Sequence, residues 1–88
     1  MRILIVEDEV RLAEALVRLT SEENFQADMA TDGEEGLHLA MMVPYDVIVL
    51  DRMLPKMNGT DLVKRLRSHG VTTPVLFLSA RDSISDRV

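Results

Sequence analysis

The chain has 88 residues, a net charge of −5 and no cysteine, which gives one small domain with a modest core and excludes a disulfide framework, a thiolate metal site and a thiol nucleophile. The acidic balance argues against direct nucleic-acid binding by this segment. No apolar run approaches the length of a membrane span, and Met1-Arg2 leads straight into a predicted strand with no signal-peptide pattern, so a soluble, cytoplasmic protein with no membrane partner is expected.

Apolar runs of strand length alternate with stretches of helical period, the pattern of a parallel sheet with crossover helices. The first strand is predicted over Arg2 to Val6 and the first helix over Val10 to Glu23, with Leu12, Leu16 and Leu19 on one face and Ala15 beside them. A shorter, more polar strand near Phe25 to Ala30 suits a sheet edge. Thr31-Asp32-Gly33-Glu34 has the Ser/Thr-x-x-Glu form of a capping box, opening a helix that buries Leu37, Ala40 and Met41 and stops before Pro44. The third strand is Val47 to Asp51. After a loop with Pro55 and Gly59, Asn58 is placed to cap a helix with Leu62, Val63 and Leu66 inward, ended by His69-Gly70. Val75 to Ser79 reads as a fourth strand, and Asp82 to Val88 as the first turns of a further helix capped by Asp82 or Ser83. The first, third and fourth strands are near-continuous apolar runs, as parallel strands covered on both faces should be.

Two of these strands end in acid: Ile3-Leu4-Ile5-Val6 runs into Glu7-Asp8, and Val47-Ile48-Val49-Leu50 into Asp51. Side by side and parallel, they bring three carboxylates to the carboxyl edge of the sheet, where open α/β folds place their ligands. At an effective dielectric near 20, two unit charges about 4 Å apart interact by roughly 4 kcal/mol, so the cluster calls for a cation or a proton.

Three segments in order, Ile3-Leu4-Ile5-Val6-Glu7-Asp8-Glu9, Asp51-Arg52-Met53-Leu54-Pro55-Lys56-Met57-Asn58-Gly59 and Leu78-Ser79-Ala80-Arg81-Asp82, carry a resemblance over the whole chain. The sequence resembles the N-terminal part of a response-regulator receiver domain of two-component signalling, of the kind attached to winged-helix transcription factors. The resemblance implies a flavodoxin-like, doubly wound α/β fold with strand order 2-1-3-4, residues 1–88 forming part of a single receiver domain whose fifth strand and last helix are missing. It implies that Asp51 accepts a phosphoryl group from a sensor histidine kinase, with Mg²⁺ held by Glu7, Asp8, Asp51 and the backbone carbonyl of Met53. Mn²⁺ is expected to substitute, since few carboxylates, retained waters and a phosphoryl oxygen suit a hard cation. Ser79 and the backbone of Ala80 are expected to contact the phosphoryl group. The lysine that the family carries after its fifth strand has no counterpart here. On this reading the chain is not an enzyme in the usual sense, although it assists its own phosphorylation and dephosphorylation, and DNA is reached through a C-terminal domain outside the chain.

Other readings stand beside these. Acids at strand-to-helix junctions also cap helices, which Asp8 or Glu9 would do for the first helix and Ser79 for the turn that follows it. Lys56 and Arg81 suit solvated surface charge, His38 and His69 a structural role, and the six methionines core and loop packing. A phosphohydrolase using an aspartyl-phosphate commonly has a second acid two residues after the nucleophile, where this chain has Met53. A different class is a structural or oligomerising unit unable to switch, and self-association is expected through the flank of the fourth strand, whose Val75, Leu76, Phe77 and Leu78 are expected to be exposed there.

Overall fold

The computed structural model describes residues 1–78; Ser79, Ala80, Arg81 and the helix expected over Asp82 to Val88 lie outside the described residues. Seven elements follow in chain order: β1 (Arg2–Val6), α1 (Val10–Glu22), β2 (Gln26–Ala30), α2 (Gly33–Met42), β3 (Val47–Asp51), α3 (Gly59–Ser68) and β4 (Val75–Leu78). The strands form one parallel sheet in the order β2-β1-β3-β4, the predicted flavodoxin-like order.

Strand parity sorts the core into two faces. Leu4 and Val6 from β1 and Ile48 and Leu50 from β3 are buried with Leu62 and Leu66 of α3 and Ala40 of α2. Ile3 and Ile5, of opposite parity, are buried on the other side, where α1 packs over β1 and β2 and buries Ala13. Helices therefore cover both faces near β1, the most enclosed strand, and it carries the longest run of buried residues.

The helix ends follow local chemistry. Asn58 caps α3 by accepting from the Asp61 amide at 2.9 Å, as predicted. The helix closes at His69, and Gly70 takes a φ of 80°, which a side chain would oppose. The capping box of α2 lies one residue later than predicted: Asp32 is the cap and accepts from the Glu35 amide at 2.8 Å, while the Glu35 carboxylate accepts from the Thr31 amide at 3.1 Å. Asp32 wins because its short carboxylate reaches the amide three residues on, leaving Glu35 to return the bond.

Three burial expectations are corrected. Leu12 and Leu19 are 40% and 58% exposed, since the buried and half-buried stripe of α1 runs through Ala13, Leu16, Val17 and Thr20. Met41 is exposed, as are Met1, Met42 and Met53, so most methionines do not fill the core. On β4 only Leu76 is strongly exposed, at 62%; Val75 and Phe77 pack against the core.

Candidate functional site

The register of β1 against β3 builds the site. Val6 pairs with Leu50, so the residues that follow, Glu7 and Asp51, leave the sheet side by side at its carboxyl edge. The Glu7 amide extends the pairing to β2 by donating to the Ala30 carbonyl at 3.0 Å. Oxygens of Glu7, Asp8 and Asp51 lie within 4.8 Å of one another. The three predicted acids thus come together.

Their environments differ. Glu7 is only 4% exposed, Asp51 is half-buried and Asp8 is exposed. Burial pushes the Glu7 carboxyl from 4.5 up to about 7, against the Glu9 amide, which favours the anion by donating to Oε2 at 3.0 Å. A hydrogen bond with Asp8 and the negative charges of Asp51 and Asp8 raise it further. One acid of the cluster therefore tends to hold a proton near neutral pH, which answers the crowding when no cation does. Glu9, the N-cap of α1, makes no side-chain cap hydrogen bond, and the Asp8 carboxylate belongs to the cluster.

Asp51 is tied to the loop after it. Its Oδ1 accepts from the Met53 amide at 3.1 Å. The Met53 side chain is 71% exposed, so its part in the site is limited to its backbone. The loop is closed by the Gly59 amide donating to the Arg52 carbonyl at 2.8 Å. A β-carbon at Gly59 would stand 2.7 Å from the Asp51 carbonyl and 2.9 Å from the Arg52 Cα, both backbone, so glycine is required for the loop to return beneath the acid. The guanidinium of Arg52 lies over the Phe77 ring at 4.8 Å.

The donor set fits a hard divalent cation: carboxylate oxygens from two strand ends, one buried, one half-buried and one exposed, with a solvent-facing side left for water or an anionic ligand. His38 is exposed on α2, and the His69 ring lies 2.8 Å from the Arg65 carbonyl at the end of α3; neither joins the cluster. Lys56 is exposed surface charge, as expected, and its ammonium lies 3.7 Å from Asp32. Ser79 and Ala80, predicted to face the same edge, lie outside the described residues. Sequence reasoning missed Asp32 and Gly33, whose contacts with the loop leave no periodic signal.

Among the described residues no helix is long and apolar enough to cross a membrane. Residues 3–88 match the family described as the response regulator receiver domain. The chain is 50% identical over 88 residues to the transcriptional activator protein IrlR of Burkholderia pseudomallei, covering all of this chain and 38% of that protein. It is 47% identical over 88 residues to the transcriptional regulatory protein CusR of Escherichia coli, covering 39% of it, so the chain spans about two fifths of the length of these relatives. The receiver domain of the Francisella response regulator 1452 superposes with a TM-score of 0.89 at 36% identity, over 97% of this chain and 70% of that one. TrrA of Thermotoga maritima, solved in complex with Mg²⁺-BeF, superposes with a TM-score of 0.75 at 30% identity, over 86% of this chain and 64% of that one.

Proposed function

The chain belongs to the response regulator receiver domain family, and from that membership we propose that residues 1–88 are part of one receiver domain in which Asp51 accepts a phosphoryl group from a sensor histidine kinase. The observation that carries the proposal is the convergence of Glu7, Asp8 and Asp51 within 4.8 Å at the ends of two neighbouring strands. Glu7, Asp8, Asp51 and the Met53 carbonyl would hold Mg²⁺, or Mn²⁺ in its place, and the Mg²⁺-BeF complex of the relative TrrA supports that assignment. The bound cation supplies positive charge between an anionic nucleophile and an anionic donor.

The residues divide the work. With Oδ1 of Asp51 engaged by the Met53 amide, the other carboxylate oxygen is free to attack phosphorus in line. The new oxygen–phosphorus bond forms as the bond from phosphorus to the donor's imidazole nitrogen breaks; with the donor's other ring nitrogen protonated, the electron pair stays on the leaving nitrogen, giving an acyl phosphate on Asp51 and a neutral imidazole. To hold the cation Glu7 would release its proton to solvent, and Asp8 would supply the exposed second carboxylate. By position, Ser79 and the Ala80 amide are assigned to the phosphoryl oxygens. The added charge of about −1.5 to −2 then biases this edge of the domain.

The relatives are transcriptional regulators, which supports an output domain that binds DNA, reached through chain outside this segment. Among the described residues β4 lies at the side of the sheet, and its exposed Leu76 supports association of copies through that flank. A monomer in sedimentation at every concentration would overturn that part alone.

Acetyl phosphate with Mg²⁺, followed by intact mass, tests the phosphoacceptor. The chain is expected to gain one phosphoryl group and Asp51→Asn none. No gain in the wild-type chain favours an inert structural unit; an equal gain in Asp51→Asn moves the acceptor elsewhere.

A further inference from the structure

The tip of the loop between β3 and α3 is held by the start of α2. The Gly33 amide donates to the Pro55 carbonyl at 3.1 Å, and the Lys56 ammonium lies 3.7 Å from Oδ2 of Asp32. A β-carbon at Gly33 would overlap the Met57 backbone, so the approach is open only to glycine. Lys56 itself sits at a φ of 70°, in the left-handed region that a side chain disfavours. Such a conformation persists where surrounding contacts over-determine it, and the two links on either side of the Pro55-Lys56 peptide do so. Asp32 divides its carboxylate between tasks: Oδ1 caps α2 through the Glu35 amide, and Oδ2 faces Lys56.

We infer that Asp32, Gly33 and Lys56 are positioning residues for the acid site, clamping the loop tip to the α2 N-terminus so that the Met53 peptide stays set against Asp51. The base of this loop carries both the Met53 amide that binds Asp51 and the Met53 carbonyl assigned to the cation; the second consequence rests on the proposed function, the first on geometry alone. Without the clamp, the Gly59 to Arg52 bond still closes the loop, but the segment between regains conformational freedom that must be lost again on binding.

NMR of the full chain without metal, read at the Met53 amide and the Asp51 side-chain carboxyl, tests the clamp, with Mn²⁺ then titrated as the probe. Asp32→Asn keeps an oxygen to cap α2 and loses the charge facing Lys56; Lys56→Met loses the other partner. Each is expected to shift both signals and to weaken Mn²⁺ binding about 3-fold, with the double variant no weaker than either single one and Lys56→Arg close to wild type. The thermal midpoint without metal is expected to stay within about 3 °C, which separates positioning from general destabilisation. Signals in both single variants that superimpose on wild type would overturn the clamp. If the shifts persist while the wild-type chain takes no phosphoryl group from acetyl phosphate, the clamp stands and the phosphoacceptor reading falls.

Discussion

The Met53 amide donates to Oδ1 of Asp51 at 3.1 Å, which makes the first turn of the loop a part of the acid site. Only the backbone of Met53 is engaged, since its side chain is 71% exposed. Met53→Ala is therefore expected to leave Mn²⁺ affinity within about 2-fold, while Met53→Pro, which lacks the donor, weakens it about 10-fold or more. Equal affinities for the two variants would remove the amide from the site.

Glu7 gives the metal-free chain a stability that depends on pH. Its carboxyl is pushed from 4.5 up to about 7, so between those values the folded chain keeps a proton that the unfolded chain has released. Its contribution is fully present below about pH 4.5 and is lost as pH rises through about 7. In urea titrations without metal, wild type should lose stability between about pH 4.5 and pH 7, and Glu7→Gln should flatten that decline. The same slope in both proteins would assign the titration elsewhere.

Two glycines facing different neighbours should respond differently to alanine. At Gly59 a β-carbon meets backbone at 2.7 and 2.9 Å, whereas at Gly36 it meets the Val6 methyls at 2.9 and 3.0 Å and a Leu62 methyl at 3.3 Å. Backbone cannot yield as side chains do. Gly59→Ala is expected to cost about 2 kcal/mol or more in urea unfolding, and Gly36→Ala about 1 kcal/mol, because improved helix propensity offsets part of the crowding against the buried, stiff Val6.

Tyr45 is a test of independence between the two ends of the sheet. Its buried hydroxyl donates to Oδ2 of Asp28 at 2.7 Å, an oxygen that also lies 3.3 Å from Arg2. Burial, reinforced by Asp28, pushes the phenol up to about 12. Tyr45→Phe should cost about 1 kcal/mol, read by thermal unfolding, and leave Mn²⁺ affinity unchanged. A loss of Mn²⁺ binding would show that the ends are coupled.

Much of this arrangement was legible in the sequence because it is written in consecutive residues. Apolar runs ending in Glu7 and Asp51 gave both the strands and the place where the acids meet, and Asn58 and Gly70 marked the ends of α3 by their own backbone chemistry. The side-chain period of α1 was legible too, but the leucines alone do not fix which face turns inward: the stripe through Ala13, Leu16, Val17 and Thr20 does, and Leu12 and Leu19 are exposed. The contact of Gly33 with the loop near Met57 depends on two segments meeting across the fold. Neither segment alone signals it.

The pairing of Val6 with Leu50 has a consequence for how the chain reaches its native state. Sliding β1 past β3 by one residue would turn every side chain of one strand to the opposite face, and it would separate Glu7 from Asp51 at the same time. A cation held by both acids would then stabilise only chains whose central strands are aligned, by mass action and in proportion to its concentration. On the proposed ligand set, the ion would act as a selector during folding, favouring the aligned pairing before any signal arrives.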